Sequence, residues 1–234
     1  MEFGTMRRII LSLMTLLLLS SAPALALPTL QLDIQDGVYV GGGDETVYAT
    51  TNPFTLYALL NDPDPSLLSH TFYVSAAITP NPGSAGGDYG SFTFDGTTVD
   101  VTADMTYGTP PDGDKLKDLP GHGIYDTWYR LFAFSFDPSK KAAAYNSQRD
   151  PGGLVTDPSG GLYYEDFLVD TTGLDPDLSV HFDLYVVDSN GKIIDKAPFS
   201  HDAQSSPVPE PASMLLLGAG LIGLAGIGRR KMVK

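Results

Sequence analysis

The middle of the chain alternates apolar and polar residues with a period of two, and no other feature restricts its fold as strongly. Phe182, Leu184 and Val186 alternate with His181, Asp183 and Tyr185, as expected for a strand with one buried face and one wet face. Residues 27–207 hold no stretch of about twelve residues with the apolar stripe of an amphipathic helix. The pattern therefore predicts an all-β domain.

Strand and turn signals extend this prediction along the domain. Runs rich in β-branched and aromatic residues predict strands at Leu30–Ile34, Thr46–Thr50, Phe54–Leu60, Thr71–Thr79, Ser91–Phe94, Thr97–Thr102, Trp128–Phe136 and Leu162–Val169. Asp95-Gly96 and Asn190-Gly191 are typical of two-residue hairpin turns. The three alanines in Lys140–Tyr145 favour one or two helical turns. Roughly ten short strands predict an antiparallel β-sandwich of jelly-roll or immunoglobulin-like type.

The first residues have the three parts of a secretory signal peptide, predicted as a helix within residues 6–26. The parts are a positive segment at Met6-Arg7-Arg8, an apolar segment at Ile9–Leu19 and a small-x-small cleavage site at Ala24 and Ala26. The apolar segment is too short for a spanning helix of about 20 residues. Residues 1–5 fit no part of this signal and are interpreted as a cloning scar or a misplaced start. The pattern predicts that residues 27–201 are exported as the folded domain.

A second apolar segment stands near the other end of the chain, after a predicted linker at residues 202–207. Residues 212–228 are uncharged, and a helix over them would be about 25 Å long. They are preceded by Val208, Pro209, Glu210 and Pro211, and followed by Arg229, Arg230 and Lys231. This order predicts a transmembrane helix with a basic cytoplasmic stop, so that the precursor is anchored in the membrane and faces outward.

The order of motif, apolar segment and basic stop resembles the PEP-CTERM sorting signal, over residues 208–234. The resemblance implies export by the general secretion machinery of a bacterium that makes extracellular polysaccharide. It also implies that a membrane-embedded exosortase recognises Pro209-Glu210-Pro211. The alternative is an ordinary membrane anchor in which the two prolines stop the helix from starting early.

The central domain is similar to a family of bacterial surface proteins known as choice-of-anchor N. The stretches that carry the similarity are Pro53–Leu60, Gly90–Val99, Thr102–Pro110 and Ala197–Ala203. The resemblance implies an exported β-rich domain that is combined with different sorting signals. It implies no known activity and no catalytic residues.

The predicted domain is strongly acidic and lacks cysteine. Residues 27–207 carry 8 of the 14 Lys and Arg residues and 26 of the 28 Asp and Glu residues, a net charge of about −18. A field of this sign opposes binding to nucleic acid or anionic lipid and favours cations. The absence of cysteine excludes disulfides, thiol chemistry and Cys-ligated zinc. Stability must therefore come from apolar burial, with calcium as a candidate cofactor.

Three pairs of aspartates are the candidate calcium ligands. They are Asp62 and Asp64, Asp112 and Asp114, and Asp175 and Asp177. Calcium takes about six to eight oxygen ligands, and an Asp-x-Asp loop supplies two of them. No pair extends to the spacing of an EF-hand, and a plain acidic turn is the alternative for each. The four histidines form no His-x-His or His-x-x-x-His pair, so no local zinc motif is predicted.

Aromatic side chains suggest a second class of site, a surface that stacks on sugar rings. The candidates are Tyr125, Trp128, Tyr163 and Tyr164. The alternative is that these rings fill the core or pair across strands. A glycan- or calcium-binding adhesion module would follow from the first interpretation.

Catalytic residues are weakly indicated. Glu165 lies among aromatic residues and is the candidate acid of a polysaccharide hydrolase, with His122 as a second candidate group. Ser200-His201-Asp202 contains the residue types of a catalytic triad. Because adjacent residues are not expected to face one another, His201 is interpreted as structural.

The preferred interpretation is a non-enzymatic exported protein of the cell surface or extracellular matrix, sorted by exosortase through its C-terminal signal. Extracellular polysaccharide is a candidate partner, and nucleic acid is not. Two alternatives stay open: the adhesion module for glycan or calcium, and the secreted polysaccharide hydrolase.

Overall fold

A computed structural model describes residues 27–41, 45–61, 66–109 and 126–206. Within these ranges the chain forms two β-sheets and two short 3₁₀ helices, at Leu67–Ser69 and Phe199–His201. No helix in the same ranges has the length and hydropathy that a membrane span requires. The predicted signal peptide, transmembrane helix and sorting tail lie outside the described residues.

Six strands form the first sheet, called sheet A. Its strands follow the spatial order β1 (Leu30–Ile34), β4 (Phe54–Leu60), β11 (Leu162–Asp170), β6 (Ser91–Phe94) and β7 (Thr97–Asp100), and β10 (Lys141–Ala142) also pairs with β11. Each pair of neighbours is antiparallel. The long central strands β4 and β11 therefore carry most of the pairing in this sheet.

Eight strands form the second sheet, called sheet B. Its strands follow the order β2 (Val38–Val40), β3 (Thr46–Tyr48), β14 (Ala203–Gln204), β12 (Ser179–Val187), β5 (Thr71–Thr79), β9 (Thr127–Phe134) and β8 (Thr106–Gly108), and β13 (Ile193–Lys196) also pairs with β12. Only the pair β14–β3 is parallel among the pairs of this sheet in the described part of the chain. The predicted all-β sandwich is confirmed, whereas its jelly-roll or immunoglobulin-like type stays a prediction.

The alternating pattern of β12 has the predicted consequence except at Tyr185, which was expected on the wet face but is buried and stacks on Tyr73 of β5. Phe182, Leu184 and Val186 are buried between the sheets, while His181 and Asp183 point to the outer face and are half-buried. The ring of Phe182 meets Phe54 of sheet A edge to face, with 6.3 Å between ring centroids. Apolar burial across the two sheets therefore forms the core, as expected for a chain without cysteine.

Both predicted hairpins are present, but only the first has the predicted two-residue turn, because β12 ends at Val187 and β13 begins at Ile193. Asp95 and Gly96 join β6 to β7 with φ angles of +47° and +76°, the left-handed conformation that a two-residue turn of type I′ requires. Gly191, at φ +77°, lies in the turn between β12 and β13. Short turn motifs were therefore sufficient to place these two hairpins.

The prediction of helical turns at Lys140–Tyr145 is wrong. Lys141 and Ala142 form β10, which pairs with Tyr163 and Leu162 of β11. Ala142 is buried against Leu59 and Leu162. Pairing with an existing strand and burial of this alanine outweigh the modest intrinsic preference of alanine for a helix.

Residues 143–161 form a connection that lies over the outer face of sheet A. The backbone N–H of Ser147 donates to Oε1 of Gln31 at 3.0 Å, and the hydroxyl of Tyr145 donates to Asp33 at 2.6 Å. Gln31 and Asp33 are both fully buried, although their positions in β1 point away from the core between the sheets. Residues 143–161 therefore cover the outer face of β1, an edge strand of sheet A, and exclude solvent from it.

Gly160 is expected to be the more sensitive of two adjacent glycines in this connection. A Cβ at Gly160 would overlap the backbone carbonyl of Ala142, whereas a Cβ at Gly161 meets nothing within 4 Å. Gly160→Ala should lower the free energy of unfolding by about 1–3 kcal/mol because the strand must move. Gly161→Ala should change it by less than about 0.5 kcal/mol. Urea unfolding measures both, and equal losses would contradict the placement of β10.

Candidate functional site

Three side chains with metal-ligating atoms meet on the outer face of sheet B. His181 and Asp183 are two residues apart on β12, so they share a face. Asp202 directly precedes β14, whose Gln204 pairs with His181. This register brings Asp202 beside Asp183. One ligating atom from each of the three residues lies within 4.8 Å of the others.

The imidazole of His181 lies between the two carboxylates. Its Nε2 atom is 3.3 Å from Oδ2 of Asp202 and 3.6 Å from Oδ1 of Asp183. Its other nitrogen, Nδ1, is 3.3 Å from Oε1 of Gln204. If Nδ1 carries the hydrogen and donates it to Gln204, the lone pair of Nε2 faces the carboxylates.

The members of this cluster differ in exposure. Asp202 is almost completely buried, with 2% of its surface exposed, and its Oδ1 atom has no hydrogen-bond donor among the described residues. The side chains of His181 and Asp183 are 25% and 19% exposed. His181 and Asp183 are therefore partly accessible to solvent, whereas Asp202 is not.

The charges within the cluster depend on one another. Burial alone would lower the pKa of His181, but the carboxylates of Asp183 and Asp202 outweigh burial and hold this pKa well above its ordinary value. Burial raises the pKa of Asp202, and the neighbouring His181 opposes this rise. The arrangement binds a positive charge at its centre, either a proton on His181 or a cation between the three side chains.

His201 belongs to a different hydrogen-bonded group. Its Nδ1 atom lies 2.9 Å from the hydroxyl of Ser200, and its Nε2 atom lies 3.1 Å from Nδ2 of Asn146. The expectation that adjacent residues do not face one another is thus wrong for Ser200 and His201, whose side chains are in direct contact. Asp202 instead faces His181. Burial lowers the pKa of His201 to about 4, which keeps this imidazole neutral at pH 7.

The predicted calcium ligands are only partly visible. Asp62, Asp64, Asp112 and Asp114 lie outside the described residues, and so does His122. The carboxylate of Asp175 accepts the backbone N–H of Asp177 at 3.0 Å, and Asp177 is exposed. This contact is typical of an acidic turn. Calcium binding at these positions stays a prediction.

The structure does not bring the described glycan candidates to one surface. Trp128 lies in sheet B, donates from Nε1 to the carbonyl of Gly83 at 2.9 Å and packs against the core. Tyr163 and Tyr164 are consecutive residues of β11 in sheet A, so they point to opposite faces. Tyr125 lies outside the described residues. Glycan stacking therefore stays a prediction for each ring separately.

Glu165 is held by an ion pair. Its Oε2 atom is 2.8 Å from Nζ of Lys140, and its Oε1 atom accepts the backbone N–H of Asp137 at 2.7 Å. Hydrogen bonds to Asp166 and Glu165 raise the pKa of Lys140. The side chain of Glu165 thus has a cationic partner, Lys140, which the aromatic residues beside Glu165 in the sequence did not indicate.

Comparison with known proteins adds one specific finding. Residues 207–231 match the PEP-CTERM protein-sorting motif. The chain carries an exosortase sorting signal. No curated protein matches the chain, and the resemblance to choice-of-anchor N stays a prediction.

The sorting motif covers about a tenth of the chain, so it says nothing about the fold of the exported domain. Among solved structures, ACE19, the collagen binding subdomain of the Enterococcus faecalis surface protein ACE, aligns with 78% of this chain and 99% of its own, at 8% identity and a TM-score of 0.25. A TM-score of this size does not establish a shared fold.

Proposed function

We propose that this protein is an exported, non-enzymatic component of the cell surface or extracellular matrix that exosortase sorts through its C-terminal signal. The observation that carries the proposal is the PEP-CTERM motif at residues 207–231. Membrane anchoring through residues 212–228 and release after processing are part of the proposal. The domain that is delivered is the acidic two-sheet sandwich.

The composition of the domain agrees with this role. A net charge of about −18 keeps a secreted domain soluble and repels anionic surfaces. Its core needs neither disulfides nor a reducing compartment, because burial of apolar side chains between two sheets supplies the stability. These properties suit a passive surface protein outside the cytoplasm.

Deletion of residues 208–234 tests the sorting step. We expect the full chain in the cell envelope or matrix of an exosortase-containing host, and the deleted chain in the periplasm or the medium. Cell fractionation with immunodetection measures the distribution. Continued retention of the deleted chain in the membrane or matrix fraction would contradict the proposal.

A single substitution separates recognition of the motif from membrane anchoring. Glu210→Gln keeps both prolines and the apolar segment but removes the charge of the motif. We expect unprocessed, membrane-bound precursor to accumulate. Glu45→Gln, the same chemical change at an exposed position of the domain, is the matched control and should be processed normally.

The two alternative functions make different predictions. A binding module should bind to glycans on an array or show a heat of binding when it is titrated with calcium. A passive surface protein should do neither. A hydrolase should cleave a polysaccharide from a broad panel and lose this activity in the Glu165→Gln variant. Activity of that kind would contradict the non-enzymatic part of the proposal.

A further inference from the structure

We propose that His181, Asp183 and Asp202 bind a divalent transition-metal ion, with Zn²⁺ as the best match. The site is independent of the sorting signal and uses none of the Asp-x-Asp pairs predicted as calcium ligands. It is formed where the register of β14 on β12 places an aspartate of one segment beside a histidine and an aspartate of another.

The spacing of the donor atoms matches a metal's coordination sphere. Zn–N and Zn–O bonds of about 2.0–2.2 Å at tetrahedral angles place neighbouring donor atoms about 3.3–3.6 Å apart. Nε2 of His181 lies 3.3 Å from Oδ2 of Asp202 and 3.6 Å from Oδ1 of Asp183. A direct charge-assisted hydrogen bond would be shorter, about 2.7–2.9 Å. Two of the three donor-to-donor distances therefore fall in the range expected around an ion, and the donor oxygens of Asp183 and Asp202 lie within 4.8 Å of each other.

Gln204 orients the imidazole of His181 in the way that a hydrogen-bond acceptor outside the coordination sphere orients a metal-ligating histidine. Ligating histidines usually donate the hydrogen of their second ring nitrogen to an oxygen, which fixes the tautomer. Nδ1 of His181 lies 3.3 Å from Oε1 of Gln204. With Nδ1–H donating to Gln204, Nε2 faces the space between the carboxylates, and a metal ion there would take its lone pair in place of a proton.

The buried carboxylate of Asp202 is only partly satisfied by its hydrogen bond with the side chain of Thr46 and by the imidazole of His181. Only 2% of Asp202 is exposed, and its Oδ1 atom has no hydrogen-bond donor among the described residues. A buried carboxylate oxygen without a partner is costly. A divalent cation between Asp183 and Asp202 would neutralise both carboxylates, and the acidic domain attracts cations to the site.

The donor set favours zinc over calcium or magnesium. Calcium and magnesium take oxygen ligands, whereas imidazole nitrogen suits zinc and related transition metals. Three protein ligands leave a fourth position of the tetrahedron, and the partly exposed His181 and Asp183 allow water to fill it. The competing arrangement is a protonated His181 held by the two carboxylates, without a metal.

Zn²⁺ titration of the purified full-length chain by calorimetry distinguishes the two arrangements. We expect one Zn²⁺ per chain, with Ca²⁺ and Mg²⁺ at equal concentration failing to displace it. His181→Gln should weaken Zn²⁺ binding by more than about 100-fold, because it removes a ligand. Gln204→Leu, which leaves all three ligands in place, should weaken it by about 10–100-fold.

His70→Gln is the matched control. His70 precedes β5, at the end of that strand opposite to Ala77, the residue that pairs with His181. Its replacement should leave Zn²⁺ affinity unchanged. Circular dichroism verifies that each variant is folded, and Asp183→Asn provides a second ligand variant should His181→Gln not fold. Absence of Zn²⁺ uptake, or uptake that both ligand variants retain, would overturn the proposal.

Co²⁺ substitution gives a readout that does not depend on affinity. Four-coordinate Co²⁺ absorbs visible light far more strongly than six-coordinate Co²⁺, so a tetrahedral site formed by His181, Asp183, Asp202 and water should give intense bands. We expect these bands in the full-length chain and in His70→Gln, and their loss in His181→Gln. Weak bands that are unchanged by His181→Gln would contradict the geometry.

Discussion

Replacing Phe182 by alanine is expected to lower the free energy of unfolding by about 3–5 kcal/mol. Phe182 is fully buried in β12, the strand of sheet B that pairs with β5, β13 and β14. Its ring meets Phe54 and Phe94 of sheet A, with 6.3 Å between ring centroids in each pair. The side chain therefore joins the two sheets at the centre of the sandwich.

The surroundings of Phe182 limit how far the cavity can close. Its neighbours across β5 and β14 are Ala76 and Ala203, which are too small to fill the space. The aromatic rings of sheet A are held by further ring contacts, such as Phe94 on Phe132 at 4.1 Å. Because the cost of a large-to-small substitution rises with the cavity that is left, the upper part of the range is expected.

Equilibrium urea unfolding measures this loss, which is large against a typical total stability of about 5–15 kcal/mol. Leu168→Ala is the matched control, since Leu168 lies in β11 with 57% of its surface exposed. It should change stability by no more than about 0.5 kcal/mol. A loss below about 1 kcal/mol for Phe182→Ala would show that the two sheets do not pack as described.

The fold was predictable where local signals suffice. Alternation in β12 and the hairpin signals at Asp95-Gly96 and Asn190-Gly191 are properties of short windows. The structure contains the strand and both hairpins, although residues 188–192 make the second connection longer than the predicted two-residue turn. Four predicted strands have the observed bounds, namely Leu30–Ile34, Phe54–Leu60, Thr71–Thr79 and Ser91–Phe94. In each of these segments, local preference and long-range pairing favour the same structure.

Very short strands were not predictable in the same way. β2, β10 and β14 have two or three residues each, too few for a period of two to be visible. β10 and β14 are strands because a longer strand is already present beside each of them, β11 beside Lys141 and Ala142 and β12 beside Ala203 and Gln204. Long-range pairing, rather than propensity, decides their conformation.

The candidate metal site required the register of the sheet. The pair His181 and Asp183 is visible in the sequence as two ligand types at a spacing that shares one face of a strand. Nothing local connects this pair to Asp202, which reaches it because Gln204 pairs with His181. The local zinc motifs His-x-His and His-x-x-x-His contain two histidines, so they do not indicate a site with one histidine and two carboxylates.

Asp33 is expected to make the chain more stable at pH 4 than at pH 7, by about 2–2.5 kcal/mol from this residue alone. Burial raises its pKa from 3.8 to about 6, although hydrogen bonds from Tyr145, Gly152 and Ile34 oppose the rise. The folded chain then binds a proton at Asp33 between pH 4 and 6, where the unfolded chain does not. Stability from this group is fully present below pH 4 and is lost as the pH rises through 6.

Other carboxylates act in the opposite direction, so the effect must be isolated. Hydrogen bonds from the backbone N–H groups of Ala103 and Thr102 lower the pKa of Asp100, and those from Ser139 lower the pKa of Asp137. Such groups stabilise the fold at neutral pH and cease to do so in acid. The total pH dependence of the chain therefore does not report on Asp33.

Comparison with Asp33→Asn isolates the contribution of this carboxyl, because an amide does not titrate. Urea unfolding at pH 4, 5, 6 and 7 should show that the stability of the native chain minus that of Asp33→Asn falls by about 2–2.5 kcal/mol as the pH rises. Asp36→Asn is the matched control, since Asp36 is exposed and its φ of +56° suits asparagine equally. A difference that is flat from pH 4 to 7 would mean that residues 143–161 do not cover Asp33 in solution.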